Sequence, residues 1–260
     1  MKFLFAMIST LNRFQKTRRL FGWLINLLVF FQSFFMWICK KEYSSFSDCL
    51  FHFKKQSKHP WINERTIEYS WIAKNISEIK NCYVLDVGAK EGLPSTDLLL
   101  NNKNIVYTID INTSEVNQPN ENLILKKGDI RATPFENNFF DAVIAVSTLE
   151  HVGISGRYGI AESDEEGDFK AMAEIFRILK PGGCVFITVP YGVGRSLPLN
   201  RLYSSDRITK LFEKFIVTKN DFFTFNTTYN MWFEVPEPTA KENNWDYDPW
   251  YSLGCFYATK

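Results

Sequence analysis

At 260 residues the chain is long enough for one complete α/β domain with additional elements, and a core of that size needs no disulfide or metal to stabilise it. Its 30 lysine and arginine residues balance 29 aspartate and glutamate residues, so no basic face is indicated and no nucleic-acid partner is expected. The five cysteines are scattered and never spaced as C-x-x-C, which indicates reduced structural thiols of a cytosolic protein and predicts neither disulfides nor a metal site.

The first part of the chain differs in composition from everything after it. Residues 20–39 form an uncharged run whose only clearly polar members are Asn26, Gln32 and Ser33, and basic residues flank both ends. Twenty helical residues span about 30 Å, the hydrocarbon thickness of a bilayer. We therefore predict that residues 1–41 form a hydrophobic N-terminal helix that contacts a membrane through residues 20–39, with the protein on the cytoplasmic side. The basic residues at both ends leave the orientation of this segment open. A buried or interfacial helix packed on the following domain is the alternative.

Residues 42–63 are predicted to be a linker, and a compact domain is predicted over residues 64–260. After the N-cap candidate Asn63, this domain alternates strands with helices, which is typical of a doubly wound α/β fold with a parallel sheet. An apolar stripe predicts a helix after Asn63, formed by Ile67, Trp71, Ile72, Ile76 and Ile79. Further helices are predicted over 95–101, 168–179 and 205–212. The predicted strands cover 83–87, 105–109, 123–126, 140–146 and 184–189, followed in the tail by 215–218, 222–225, 229–234 and 251–258.

The sequence VLDVGAKEG, residues 84–92, runs from the first predicted strand through a glycine-bearing turn toward a helix. Glycines such as Gly88 and Gly92 let the backbone approach a ligand closely, and the following helix offers unpaired N–H groups. This is how an open α/β sheet presents a nucleotide-like ligand at the carboxyl end of its first strand. The turn therefore predicts a nucleotide-binding loop that includes Asp86.

Two further acids stand at the ends of the next predicted strands. Asp110 closes the second strand, where an acidic residue of a nucleotide-binding fold accepts hydrogen bonds from the ribose hydroxyls; a helix N-cap is the alternative. Asp129 follows the third strand, where it can accept a hydrogen bond from an adenine amino group while Ile130 packs on the ring. An acid that serves only the turn is the alternative for Asp129.

The fourth predicted strand ends at the edge of the sheet that is formed by the carboxyl ends of the strands. Its sequence FFDAVIAVSTLEH brings Ser147, Glu150 and His151 to the carboxyl ends of the strands. Ligands of such folds bind and react at this edge.

Taken in order, these motifs make the chain similar to class I S-adenosylmethionine-dependent methyltransferases of the type 11 methyltransferase-domain group. The resemblance covers about residues 64–260 and implies a Rossmann-like, mostly parallel seven-stranded sheet whose last strand is antiparallel. GRYG at 156–159 followed by EEGDFKAM at 165–172 resembles a poorly characterised subset associated with sugar or polysaccharide biosynthesis. The matching segments are VLDVGAKEG, TID at 108–110, GDIRATPFENNFFDAVIAVSTLEHV at 128–152 and FKAMAEIFRILKPGGCVFITVP at 169–190.

The resemblance implies S-adenosylmethionine as the cofactor. Its methionine part would lie against the loop at residues 84–92, and its adenosine against Asp110 and Asp129. Its sulfonium would lie near Ser147 and Leu149. Lys90 departs from the family, because the middle position of this loop is usually glycine; its side chain would point outward or toward the cofactor carboxylate. The cofactor-binding positions implied are Asp86, Gly88, Gly92, Asp110, Asp129, Ile130 and Ser147.

Methyl transfer from a sulfonium is an in-line displacement, so the protein must align the acceptor with the methyl group and exclude water. An oxygen acceptor also loses a proton, and His151 is the candidate base because imidazole titrates near neutrality. An ordering role for His151 in the loop is the alternative, and Glu150 is the second candidate, unless it serves the cofactor amino group.

Arg157 and Tyr158 are predicted to contact an acceptor that carries hydroxyl, carboxylate or phosphate groups. Alternatively they clamp the loop through the acidic residues Glu165, Glu166 or Asp168.

The expected function is thus methyl transfer to a small-molecule or a glycan- or lipid-linked acceptor, at an oxygen. A non-catalytic cofactor-binding or scaffolding protein on the same fold is the alternative that Lys90 suggests. A nicotinamide-dependent dehydrogenase is disfavoured because the G-x-G-x-x-G spacing is absent.

Overall fold

The computed structural model describes residues 64–89, 94–113, 121–155, 158, 160, 162–197, 199–226, 231–245 and 250–260. The chain divides into two compact units. The larger unit comprises Ile67–Thr224 and Phe233–Lys260 and contains every residue of the site described below, whereas the smaller unit comprises Met1–Thr66 and Phe225–Trp232. The predicted N-terminal helix at 1–41 and the linker at 42–63 lie outside the described residues.

The elements follow the predicted alternation. The helices are α1 (Arg65–Asn75), α2 (Pro94–Asn101), α3 (Gly167–Ile178), α4 (Ser205–Leu211) and α5 (Glu237–Ala240), with a 3-10 turn at Leu149–His151. The strands are β1 (Tyr83–Val87), β2 (Ile105–Asp110), β3 (Leu123–Lys127), β4 (Phe140–Val146), β5 (Leu179–Tyr191), β6 (Arg195–Ser196), β7 (Arg201–Leu202), β8 (Ile216–Asn226), β9 (Met231–Val235) and β10 (Ser252–Thr259).

The main sheet has eight strands in the order β3-β2-β1-β4-β5-β10-β8-β9, and β6 pairs with β7 separately. β1 to β5 are mutually parallel, and their aliphatic side chains are buried because helices cover parallel sheets. The order reverses between β1 and β4, which leaves a crevice at the carboxyl ends of these two neighbours. This crevice is where the fold places a ligand.

The predicted Rossmann-like, doubly wound α/β fold is confirmed. β10 runs antiparallel to both β5 and β8, as the resemblance implied for the last strand. The sheet has eight strands rather than seven, because β9 extends it at the edge. The two strands predicted at 215–218 and 222–225 form the single strand β8, which pairs with β10 from Ile216 to Phe223.

Helix α1 is shorter than its apolar pattern suggested and ends at Asn75. Its inward face carries Glu68, Trp71 and Ile72, all buried. The Trp71 indole packs edge-on against Phe186 of β5 and donates a hydrogen bond of 2.6 Å to Asp221 of β8. α1 is therefore anchored on the sheet beside β5.

None of the helices in the described part of the chain combines the length and the apolar character that crossing a bilayer requires. Residues 20–39 are not among those described, so membrane contact through them stays a prediction.

Candidate active site

Asp86 ends the first strand as a completely buried carboxylate. Its Oδ2 accepts hydrogen bonds from Ser95 Oγ at 3.0 Å and Thr96 Oγ1 at 2.7 Å, which tie β1 to the first turn of α2. Its Oδ1 is buried with no hydrogen-bond partner among the described residues. Burial raises the pKa of Asp86 to about 6, although the two hydroxyl hydrogen bonds oppose the rise. Asp86 therefore offers one carboxylate oxygen for a cationic donor at this edge.

Gly88 follows Asp86 in a conformation that requires glycine. Its φ is +74°, and a Cβ at this position would lie 2.6 Å from Thr148 Oγ1. The Thr148 hydroxyl is shared between the carbonyl oxygens of Val146 and Val87, at 3.0 and 3.1 Å. Thr148 therefore joins the ends of β4 and β1 directly above the glycine, and the loop stays close to the sheet.

The acids at the ends of β2 and β3 are both engaged in turns. Asp110 Oδ1 accepts the Asn112 backbone N–H at 2.7 Å. Asp129 accepts hydrogen bonds from Arg131 with both carboxylate oxygens, the shortest from Nη2 at 2.7 Å. Burial favours the neutral form of Asp129, but the hydrogen bonds and charge of Arg131 outweigh this effect and lower its pKa. Ile130, which follows Asp129, is buried in the main core. The cofactor-binding roles of Asp110, Asp129 and Ile130 stay predictions.

Ser147 begins the loop after β4 in a left-handed conformation with φ +42°. Its N–H lies 3.1 Å from the Thr188 carbonyl oxygen and 3.0 Å from Thr188 Oγ1. Its hydroxyl donates to Glu68 Oε1 at 2.5 Å, and Thr188 Oγ1 donates to the same oxygen at 2.6 Å. The loop that carries the predicted reactive residues thus starts from a buried polar cluster.

Glu150 and His151 lie together in the 3-10 turn, with Glu150 buried and His151 partly exposed. His151 Nδ1 lies 2.7 Å from the Leu199 carbonyl oxygen. Because a carbonyl oxygen only accepts, Nδ1 carries the hydrogen, which leaves Nε2 of the neutral ring as the nitrogen with a free electron pair. Nε2 faces Glu150 Oε1 at 3.7 Å, which is longer than a hydrogen bond but close enough to stabilise an imidazolium.

The Tyr158 ring packs edge-on against His151, with the two ring centroids 5.6 Å apart. Its side chain is 42 % exposed, and its carbonyl oxygen lies 3.5 Å from Asn112 Nδ2. The structure therefore brings Tyr158 to the predicted base and to the end of β2. Arg157, the second predicted acceptor residue, lies outside the described residues, as do Gly92 and Lys90.

The loop between Gly153 and Asp164 is closed at its base by arginines other than the one predicted. Arg201, 2 % exposed, donates to the carbonyl oxygens of Val152 at 2.5 Å and Asp164 at 2.9 Å. The Asp164 N–H donates to the Gly153 carbonyl oxygen at 2.7 Å. Arg207 in turn makes a bidentate ion pair with Asp168, with distances of 2.7 and 2.9 Å.

Sequence reasoning missed Glu68, Thr148 and Arg201. Glu68 sits within the apolar stripe of α1, where a charged residue at a buried helical position is a signal of a paired group. Arg201 and Thr148 carry no comparable local signal. Among the described residues, no group of three or more histidine, cysteine or acidic side chains is arranged to hold a metal ion.

Part of the chain is similar to a known domain family. Residues 85–187 match the methyltransferase domain family. The sterol 24-C-methyltransferase of Yarrowia lipolytica is 29 % identical over 143 residues, which are 51 % of this chain and 34 % of that protein. The chain thus spans about a third of the length of this curated relative.

Two solved structures share the fold. The [4+2]-cyclase SpnF aligns with a TM-score of 0.54 and 17 % identity over 77 % of this chain and 82 % of its own. The 1,6-didemethyltoxoflavin-N1-methyltransferase of Burkholderia thailandensis, solved with S-adenosylhomocysteine, aligns with a TM-score of 0.52 and 18 % identity. The alignment covers 79 % of this chain and 84 % of that protein. Residues 85–187 therefore match a methyltransferase domain, and the sheet around them has the fold of class I S-adenosylmethionine-dependent methyltransferases.

Proposed function

We propose that this protein transfers a methyl group from S-adenosylmethionine to an oxygen of a small-molecule or a glycan- or lipid-linked acceptor. The observation that carries the proposal is the pair at the carboxyl end of β4. His151 is held by the Leu199 carbonyl oxygen so that Nε2 exchanges the proton, and Nε2 lies 3.7 Å from the buried Glu150.

The residues at the end of β1 fit this cofactor. Asp86 Oδ1 is buried without a hydrogen-bond partner among the described residues and can accept from the ammonium group of the methionine part. Gly88 keeps the backbone open to a ligand, because its conformation and its contact with Thr148 exclude a side chain. When bound, the cofactor supplies a methyl group made electrophilic by the sulfonium.

His151 acts as the general base in this proposal. Nε2 of His151 would take up the proton that the acceptor hydroxyl loses when its oxygen receives the methyl group. Nδ1 stays bonded to Leu199, so the ring keeps its orientation while it gains charge. The carboxylate of Glu150 stabilises the imidazolium that results.

The acceptor class rests on the surroundings of His151 and on the N-terminal sequence. The exposed Tyr158 ring beside His151 provides an aromatic surface suited to stacking on a sugar or an apolar ring. The uncharged residues 20–39 would bring the domain to the cytoplasmic side of a membrane that carries a lipid-linked acceptor. The subset with GRYG and its association with polysaccharide biosynthesis point to the same class.

The first experiment measures S-adenosylhomocysteine binding by calorimetry, followed by comparison of glycan and lipid extracts from cells with and without the protein. We expect binding and an acceptor that gains one methyl group. His151→Ala should keep the affinity for S-adenosylhomocysteine and lower methylation by about 10²- to 10⁴-fold. Equal methylation by the His151→Ala and wild-type proteins would contradict the base assignment.

A cofactor-binding protein without transfer activity is the second candidate, because Lys90 replaces a glycine that is usual in this loop. The two candidates differ in one outcome. Binding of S-adenosylhomocysteine without any methylated product in the extracts would favour the second candidate, and absence of binding would exclude both.

A further inference from the structure

A buried cluster of three side chains connects helix α1 to the site. Glu68 is completely buried, and its Oε1 accepts hydrogen bonds from both Ser147 Oγ and Thr188 Oγ1. The backbone N–H of Ser147 also lies within hydrogen-bond distance of Thr188. One carboxylate oxygen of α1 therefore holds the end of β4 and the neighbouring part of β5 together.

The residue that Glu68 holds is strained. A φ of +42° is uncommon for serine, because the side chain makes this backbone conformation unfavourable. Such a conformation persists only where the surrounding contacts maintain it. The hydroxyl of Ser147 is the group through which this residue contacts α1. Without that contact, the backbone at Ser147 would relax toward an ordinary conformation, and the direction of the following residues would change.

The residues that follow Ser147 are those that the proposed function uses. Thr148 covers Gly88 and joins β4 to β1, and the next turn carries Glu150 and His151. The backbone angle at Ser147 therefore sets both the wall of the cofactor loop and the position of the base.

Glu68 lies outside the segment 85–187 that matches the family, so the contact is an addition to the matched domain. α1 has an independent anchor in Trp71, which packs on Phe186 and donates to Asp221. The helix would thus remain on the sheet after a change at Glu68. Because Glu68 and Trp71 make separate contacts, substitutions at the two positions distinguish positioning of Ser147 from packing of α1 on the sheet.

We propose that Glu68 is a positioning residue of the active site, which holds Ser147 in its left-handed conformation and thereby aligns Thr148 over the cofactor loop and His151 over the acceptor. The inference rests on the proposed function. Its two measurable consequences are the affinity for S-adenosylhomocysteine and the environment of the His151 ring.

The experiment uses the full chain and compares the wild type with Glu68→Ala, Glu68→Gln and the matched control Trp71→Phe. S-adenosylhomocysteine affinity is measured by calorimetry. The imidazole resonances are followed by NMR as pH is varied; the chain has three histidines, and His151→Ala assigns the relevant signal. Thermal unfolding of each variant reports the loss of stability separately.

For Glu68→Ala we expect about tenfold weaker binding of S-adenosylhomocysteine and a displaced His151 signal with a changed titration midpoint. Glu68→Gln keeps an acceptor oxygen for the two hydroxyls and should restore most of both properties. Trp71→Phe should lower the unfolding temperature while leaving the affinity and the His151 signal as in the wild type.

Wild-type affinity and a wild-type His151 signal in a folded Glu68→Ala protein would overturn the inference. So would equal changes in Glu68→Ala and Trp71→Phe, because they would show packing of α1 rather than positioning. If Glu68→Ala does not fold, the Glu68→Gln protein decides. A folded Glu68→Gln protein that lacks the wild-type affinity and the wild-type His151 signal would contradict the hydrogen-bond role. Absence of binding by the wild type would instead contradict the proposed function.

Discussion

The buried carboxyl of Asp86, which we propose to bind the cofactor, lowers the stability of the folded protein at neutral pH. A carboxyl whose pKa rises to about 6 on folding binds more protons in the folded than in the unfolded protein between its ordinary pKa near 4 and about 6. Folding stability from this group is therefore fully present below that window and lost as pH rises through about 6. At neutral pH the buried charge destabilises the ligand-free protein.

Asp86→Asn should therefore stabilise the ligand-free protein at pH 8 by about 1–3 kcal/mol and abolish the additional stabilisation by S-adenosylhomocysteine. Urea unfolding at pH 4.5 and pH 8 measures the effect, and the variant should lose the part of the pH dependence that Asp86 causes. A variant less stable than the wild type at both pH values would contradict this assignment.

The wild-type protein should also bind S-adenosylhomocysteine more tightly as pH rises through about 6, since the ligand's ammonium group interacts with the ionised form of Asp86. Calorimetry between pH 5 and pH 8 measures this change. The same affinity throughout this range would show that Asp86 does not face the ammonium group.

Gly88 and Thr148 form a steric pair. Gly88→Ala should destabilise the protein by about 1–3 kcal/mol and weaken S-adenosylhomocysteine binding, because the added methyl meets Thr148 and the positive φ disfavours alanine. Thr148→Ala removes the two nearest atoms, so the double variant should recover part of the stability but not the cost of the backbone angle. Additive losses in a double-mutant cycle would contradict the contact.

At the scale of elements, the loop between Gly153 and Asp164 depends on strand β7. Arg201 of this strand is buried and donates to the Val152, Asp164 and Glu165 carbonyl oxygens. These hydrogen bonds join segments far apart in the chain. The loop bearing Tyr158 is thereby attached to the domain at both of its ends.

Arg201→Met should lower the free energy of unfolding by about 2–4 kcal/mol, since buried carbonyl oxygens lose charged donors while the apolar volume is kept. Lys210→Met is the control: Lys210 is exposed and its ion pair with Glu166 is 3.6 Å long, so a change within about 0.5 kcal/mol is expected. Equal effects of the two substitutions in urea unfolding would refute a structural role for Arg201.

At the scale of the whole molecule, the N-terminal segment and the methyltransferase domain are predicted to have separable roles. The full chain should float with phospholipid vesicles in a density gradient, and removal of residues 1–41 should leave a protein that binds S-adenosylhomocysteine but no longer floats. Recovery of the full chain free of vesicles would argue against the membrane anchor.

The sequence by itself determined the order of the strands in the chain, the loop at Asp86 and Gly88, and the arrival of His151 at the carboxyl edge. These features depend on apolar periodicity and on turns of a few residues, so short stretches of sequence are enough to predict them. The eight-stranded sheet differs from the prediction in the merger of two predicted strands into β8 and at its edge, where β9 adds a strand.

Only the tertiary structure decided which polar groups meet. Glu68 lies 79 residues from Ser147 and 120 from Thr188, and His151 lies 48 from the Leu199 carbonyl oxygen that selects its tautomer. No local pattern encodes such pairs, because a hydrogen bond between distant segments leaves no period in either of them. The site therefore follows from the packing of α1, β4 and the segment after β5, which brings these separated groups to one edge of the sheet.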